Sequence, residues 1–283
     1  MEINFRNVNF TYDSKSKLET LKNINLTISK DGEFISILGH TGSGKSTLVQ
    51  LMNALIIPTS GNLTILNHEI KIKKQNKLKT IRKQIGLVFQ FPEYQLFEDT
   101  VLKDVMFGPM NFGKTKEEAK EIAIKTLKDL NVDESLFEKS PFNLSGGQKR
   151  KVAIAGILAS DPDILILDEP TVGLDPIGKH ELLELLKHIH KTTNKTIILI
   201  THDMNVVAKY TNRTIVLNSG EIVYDGSTHE LFYNYKKLEQ YNLDLPYISK
   251  IALKLKEKEL INFNEIPLTL EELHNVIKEL KHE

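Results

Sequence analysis

The chain has 283 residues, 40% of them hydrophobic and 26% charged, which excludes a disordered or fibrous protein and leaves room for one large domain or two modest ones. Its 37 basic side chains balance 37 acidic ones, so no bulk charge draws it to nucleic acid or to an anionic lipid surface. Cysteine is absent, which excludes a disulfide framework and a thiolate metal site.

The opening stretch MEINFRNVNFTYD alternates polar and apolar residues and does not have the pattern of a signal peptide. No apolar run reaches the roughly 18 residues that a spanning helix needs, so work at a membrane would depend on other subunits. Ile3, Phe5, Val8, Phe10 and Tyr12 predict a half-buried strand, as do Ile24, Leu26 and Ile28. Phe34 to Leu38 is a continuous apolar run, the pattern of a strand buried on both faces. Leu48, Leu51, Met52 and Leu55 then mark one face of a helix ending near Pro58. Ile85 to Phe89 predicts another buried strand, followed by a mainly helical stretch. There Thr115 and Glu118 form a capping-box pattern ahead of Ala119, Ile122, Ala123, Leu127 and Leu130. Strands are expected again at 164–167, 196–200, 214–217 and 221–224, the last two joined through Asn218, Ser219 and Gly220. The alternation predicts an α/β core with a helical insertion over about 91–160. Beyond about Ser227, Ile248, Ile251, Ala252 and Leu255 mark one amphipathic helix. Thr269 and Glu272 cap a second, with Leu270, Leu273, Ile277 and Leu280 on its face.

Residues 39–47 read GHTGSGKST, a G-x-x-x-x-G-K-[ST] phosphate loop set between a buried strand and an amphipathic helix. Gly39, Gly42 and Gly44 let the backbone curl. N–H groups of His40, Thr41 and Ser43 can then face phosphate oxygens at the positive end of the helix that Thr47 helps begin. Lys45 can reach the β- and γ-phosphates, and Ser46 can ligate Mg²⁺. Residues 164–169 read ILILDE, which places Asp168 and Glu169 at the carboxyl end of a core strand, where open parallel sheets bind ligands. There Asp168 suits the Mg²⁺ shell and Glu169 a general base acting on water.

Residues 144–148 read LSGGQ, and with this motif the chain resembles the ATP-binding cassette family over about residues 1–226. The resemblance implies an ABC-type phosphate-loop NTPase core: a RecA-like sheet with an antiparallel β subdomain, a helical subdomain insertion and, at 227–283, a small helical dimerisation domain. It implies that Leu144, Ser145, Gly146, Gly147 and Gln148 face the ATP held by a second cassette. It further implies that Tyr12 stacks on adenine, Gln90 contacts Mg²⁺ and the attacking water, Asp175 lies in the loop that communicates between subunits, and His202 holds the γ-phosphate. The segment FPEYQLFEDTVLKDVMFGP at 91–109, the phrase DEPTVGLDP at 168–176 and the tail are similar to the second ATPase of energy-coupling factor transporters. That likeness implies ATP and Mg²⁺ as cofactors and a peripheral position on the cytoplasmic face of the cell membrane. It also implies a heterodimer with another ATPase, a transmembrane coupling subunit, a membrane substrate-binding subunit, and uptake of vitamins or metal ions. Three other readings compete: the motor of a different ABC transporter type, a soluble ABC ATPase acting on nucleic acid, and a nucleotide-binding regulatory subunit without turnover, against which intact Glu169 and His202 argue. Neutral charge and the short interval from Lys45 to Leu144 weigh against the second, although Lys149-Arg150-Lys151 could bind phosphate. On the docking side, Glu93, Glu98 and Asp99, interleaved with Tyr94, Leu96 and Phe97, are expected to receive a helix from the transmembrane subunit. Ile251 and Leu273 are expected to mark the faces that pair the two ATPases.

Overall fold

The computed structural model describes residues 2–13, 18–70 and 78–279. Two sheets organise the chain. The smaller is antiparallel, in the order β2 (Leu21–Ser29), β1 (Glu2–Phe10), β4 (Ser60–Ile65) and β5 (His68–Glu69). Its β4–β5 arm has too few apolar positions to show in the periodicity, and sequence reading missed it. In β1, Asn7 adopts φ 49°, and the register shifts between Phe5 and Val8, so both side chains face inward despite an odd spacing.

The larger sheet runs β10 (Glu221–Ser227), β9 (Arg213–Asn218), β3 (Phe34–Leu38), β8 (Thr196–Ile200), β7 (Ile164–Asp168) and β6 (Ile85–Val88). All its pairings are parallel except the β9–β10 hairpin. Ser219 and Gly220 turn that hairpin with φ of 50° and 87°, the two left-handed residues that match the twist of the flanking strands. The four strands β3, β8, β7 and β6 are buried along almost their whole length and mostly apolar, because both of their faces are covered. Ile35, Ile37, Ile164, Ile166, Ile198 and Ile200 face helix α1 (Lys45–Met52) and the small sheet. Leu165, Leu167, Ile197 and Leu199 face the opposite layer. That layer holds α3 (Val101–Asn111), α4 (Lys116–Asp129), α5 (Gly146–Leu158) and α6 (Pro176–Thr193); α2 (Leu78–Gln84) leads into β6. Helix α1 ends at Met52, before Leu55, which is 45% exposed and not on its buried face. The Thr115–Glu118 capping box forms as expected and starts α4.

After α7 (Met204–Tyr210) and β10, the tail comprises α8 (Thr228–Tyr233), α9 (Tyr247–Glu257) and α10 (Leu270–Glu279). Leu231, Phe232, Leu238, Ile266 and Leu268 share one buried cluster with Leu38, Val207 and Val216 of the cassette, which fastens the tail to the edge of the large sheet. Helices α9 and α10 meet through Ala252, Ile261 and Leu273, with Ile248, Ile251 and Ile277 packed around them. Leu273 is thus buried and Ile251 half-buried within the chain, whereas Leu270 is exposed. The apolar faces expected to meet a second ATPase are therefore used inside the tail. Leu280 lies outside the described residues.

Candidate active site

Four adjacent strands end on one edge of the large sheet and bring the sequence-predicted groups together. The phosphate loop leaves β3, Asp168 closes β7, Glu169 follows it, His202 follows β8 and Gln90 follows β6. Parallel pairing with both faces of the sheet covered makes this edge the place where polar side chains can gather without breaking the core.

The loop at 39–47 curls as its glycines allow. Gly39 adopts φ 145°, and a side chain there would lie 2.2 Å from the Leu217 carbonyl oxygen and 2.6 Å from Ser43 Oγ. Gly44 stands at φ 104° as the N-cap of α1. The Gly220 N–H donates to the Ser43 carbonyl at 3.1 Å, so the β9–β10 turn buttresses the loop, a contact sequence reading did not foresee. Lys45 Nζ donates to the Gly39 and His40 carbonyls at 2.8 and 2.9 Å and thus lies across the mouth of the loop. Burial lowers its pKa, while the charges of Glu169 and Asp168 act in the opposite direction. Ser46 Oγ donates to Asp168 Oδ2 at 2.8 Å. Burial raises the Asp168 carboxyl above its ordinary range, opposed by that hydrogen bond and by Lys45. Thr47 is buried and its Oγ1 lies 3.1 Å from the Tyr12 hydroxyl. Tyr12 itself lies beyond the end of β1, packs edge-on to Phe10 and remains 64% exposed, with ring surface available for stacking.

Glu169 leaves the strand in the left-handed region at φ 48°, which turns its side chain back toward the neighbouring strand. There Oε1 lies 2.9 Å from His202 Nδ1, while Oε2 is buried with no hydrogen-bond partner. Ser43 Oγ is buried and unpartnered in the same way. A buried carboxylate oxygen and a buried hydroxyl without partners carry a desolvation cost that a polar ligand would relieve. Beside them stand a hydroxyl–carboxylate pair and a lysine, and these donors fit a magnesium-bound nucleotide phosphate: oxygen ligands for a hard cation and a cation for the phosphate oxygens. Asp203, next to His202, caps α7 by accepting from Asn205 N and Val206 N, and forms a close ion pair with Lys179 of α6. Gln90 is exposed just beyond β6. Asp175 caps α6, accepting from Gly178 N at 2.7 Å.

The signature motif stands apart from this edge, at the start of α5. Ser145 and Gln148 form a reciprocal capping box, and Leu144 is buried beneath it. Gly146 and Gly147 face open space. Ser145 accepts from Gln148 and keeps its own O–H able to donate outward. Arg150, two residues further on than Gln148, is buried and bonded internally, so the basic run at 149–151 is no phosphate patch; Lys151 pairs with Glu181. Arg150 binds Glu93 through two hydrogen bonds, which removes Glu93 from the set of acids that could meet an incoming arginine. Leu96 is buried and belongs to the core of the helical layer, whereas Phe97 and Phe107 are exposed and touch edge to face. Both line a cavity of about 330 Å³ that also takes in Leu55, Gln95, Asn111 and Phe112.

A phosphate loop, a strand-end Asp-Glu pair, a histidine at the adjacent strand and a separate LSGGQ helix together define an ATP-binding cassette, an ATPase. The comparisons agree: the ABC transporter family matches residues 21–172. The energy-coupling factor transporter ATP-binding protein EcfA2 of Ligilactobacillus salivarius is 49% identical over 280 residues, covering 98% of this chain and 96% of that one. The protein of the same description from Enterococcus faecalis is 49% identical over 276 residues, covering 96% and 95%. Among solved structures, cbiO1 of Clostridium perfringens, described as part of the ABC transporter complex cbiONQ, superposes with a TM-score of 0.75 at 36% identity, covering 90% of this chain and 98% of that one. The cassette MJ0796, solved as a dimer in a post-hydrolysis state with ADP and Pi, gives 0.71 at 34% identity, covering 80% and 98%. The chain belongs to the ABC transporter family, among the ATP-binding proteins of energy-coupling factor transporters.

Proposed function

We propose that this chain is one of two ATPases that drive a membrane importer, at the cytoplasmic face of the membrane, and that its cargo is a vitamin or a metal ion bound by a separate membrane subunit. The observation that carries the reading is the convergence of Lys45, the Ser46–Asp168 pair and the Glu169–His202 pair on one sheet edge. The family's alternatives, another transporter type or a nucleic-acid ATPase, have less support: the relatives share nearly the whole length, tail included. No helix among the described residues is long and apolar enough to cross a membrane, so the reading requires membrane partners.

In this reading Gly39 to Thr47 wrap the phosphates, Lys45 exchanges the two carbonyls for phosphate oxygens, and Tyr12 stacks on adenine. Ser46, Asp168 and Gln90 would hold Mg²⁺, whose charge draws electron density from the γ-phosphate. Glu169 accepts a proton from, or orients, the attacking water, and His202 holds Glu169 through Nδ1 while its other nitrogen faces the phosphate. Ser145, Gly146 and Gly147 offer an O–H and a helix amino end to the ATP of the partner, and this chain's ATP meets the partner's signature. Asp175, the N-cap of α6, would lie in the loop that communicates between the two subunits. The cavity beside Phe97 and Phe107 would receive a helix of the transmembrane subunit, with Glu98 and Asp99 at its rim. The tail, 227–283, would pair the ATPases through surfaces other than Ile251 and Leu273.

A membrane pull-down with this chain as bait tests the reading. It should recover a second ATPase and two membrane subunits, and the complex should release phosphate from ATP only with a divalent cation present. Recovery of the chain with nucleic acid instead would favour the second reading.

A further inference from the structure

Arg150 lies on α5, the signature helix, yet its side chain points inward and is 3% exposed. Its guanidinium holds two loops at once. Nε and Nη2 donate to Glu93 Oε2 and Oε1 at 3.2 and 2.8 Å. Nη1 donates to the carbonyls of Pro170 and Val172 at 2.9 and 2.7 Å. Glu93 sits three residues beyond Gln90, in a one-turn 3₁₀ segment (Pro92–Gln95) packed against α5. Pro170 and Val172 follow Glu169 and lead to Asp175. The two loops also run close together: a Cβ placed on Gly173 would lie 3.8 Å from the Phe91 ring.

A buried arginine is costly to desolvate unless its donors are met, and here a bidentate carboxylate and two carbonyls meet them. A lysine could not copy the arrangement, because the planar fork sets the angle between the Glu93 and carbonyl contacts. Burial without exposure to any ligand excludes direct contact with ATP. What the fork controls is the separation between the segment bearing Gln90 and the segment bearing Glu169, referred to the helix that begins at Ser145.

We propose that Arg150 is a positioning residue for hydrolysis: a clasp that registers the Gln90 loop and the Glu169 loop against the signature helix. The proposal rests on the reading of Glu169 and Gln90 given above. Because Ser145 serves the partner's ATP in that reading while Gln90 and Glu169 serve this chain's own, the clasp ties the two ATP sites together. A shift of α5 on meeting the partner's nucleotide is transmitted to this chain's base and glutamine through four hydrogen bonds and no intervening solvent.

The test uses the complete transporter complex. Arg150→Lys keeps a buried cation beside Glu93 but loses the fork. Its kcat should fall roughly 10- to 100-fold, the scale set by displacing reacting groups by about an ångström. KM for ATP should stay within about twofold, and the melting temperature should be close to wild type. Glu93→Gln should lower kcat in the same direction. The double variant should lose no more than Arg150→Lys alone, since both act through one clasp. Wild-type kcat in Arg150→Lys overturns the proposal, and so does a loss that tracks a fall in melting temperature or in ATP affinity. Glu169→Gln in the same complex separates the two possible failures. Full hydrolysis there overturns the reading of the base and the proposal with it. Loss there beside wild-type turnover in Arg150→Lys overturns the clasp alone.

Discussion

His202 Nδ1 lies 2.9 Å from Glu169 Oε1 across the ends of neighbouring strands, and the other Glu169 oxygen is buried without a partner. The histidine fixes the carboxylate's direction, and the unpartnered oxygen is the one left to meet water. Glu169→Gln preserves shape but removes the basic oxygen. Phosphate release by the complex should fall by about 100-fold or more, while ATP affinity holds. His202→Ala should also slow release, because the carboxylate then loses its orienting contact. Wild-type release from Glu169→Gln would remove it from the role of base.

Lys45→Ala should abolish measurable ATP binding by the full chain, since its ammonium is the charge that lies across the loop mouth. Ser46→Ala removes the hydroxyl paired with Asp168 at 2.8 Å and should weaken binding of the magnesium nucleotide more than binding of free ATP. Titration with and without the metal, read by a fluorescent nucleotide, checks both.

Ser145 has two jobs that substitution can separate. Ser145→Ala loses the cap of α5 and should cost about 1 kcal/mol in stability, read from a denaturant melt. Ser145→Arg also places a bulky cation at the helix start and should block the ATP site whose phosphate loop belongs to the partner. A mixed complex with the partner's own loop inactivated should retain its residual activity in Ser145→Arg, because the surviving site uses this chain's Lys45.

Burial alone would raise the Asp203 carboxyl, but the hydrogen bond and charge of Lys179, with further hydrogen bonds from Asn205, hold it below its ordinary value. A depressed folded pKa contributes stability that is fully present above the unfolded value, near pH 3.9, and is lost as pH falls through the folded one. Lys179→Met should therefore move the acid-unfolding midpoint of the full chain to higher pH, whereas Lys191→Met, at an exposed position of the same helix, should leave it near the wild-type value. An unchanged acid midpoint would show that this ion pair does not set the titration.

Docking to the membrane subunit should depend on Phe97 and Phe107, which are exposed and paired at 4.9 Å between ring centroids, more than on acids. Phe97→Ala with Phe107→Ala should reduce co-purification of that subunit while leaving ATP binding intact. Glu98→Arg should have a smaller effect. Glu93→Arg should damage the chain itself, by leaving Arg150 buried beside a like charge.

Much of the site was legible in the residues alone, because its chemistry depends on local patterns. Gly39 to Thr47 must curl between a strand and a helix; Asp168 and Glu169 must end a strand that is apolar on both faces; Ser145 and Gln148 must cap whatever helix follows them. Each of these follows from backbone geometry within about nine residues, and periodicity located the strands that bear them. Tertiary structure alone decided which side chains remain available. Glu93 looked like a surface acid until Arg150, which looked like part of a basic run, was found bonded to it 57 positions away. Leu273 and Ile251 looked like an interface until α9 and α10 folded on one another, and Leu55 lost its helix at Met52. The β4–β5 arm and the Gly220 buttress likewise depend on partners distant in the chain. Amphipathic pattern says that a face must be covered and charge says that a group must be paired or wet. Neither names the partner, because burial and pairing are settled by long-range packing.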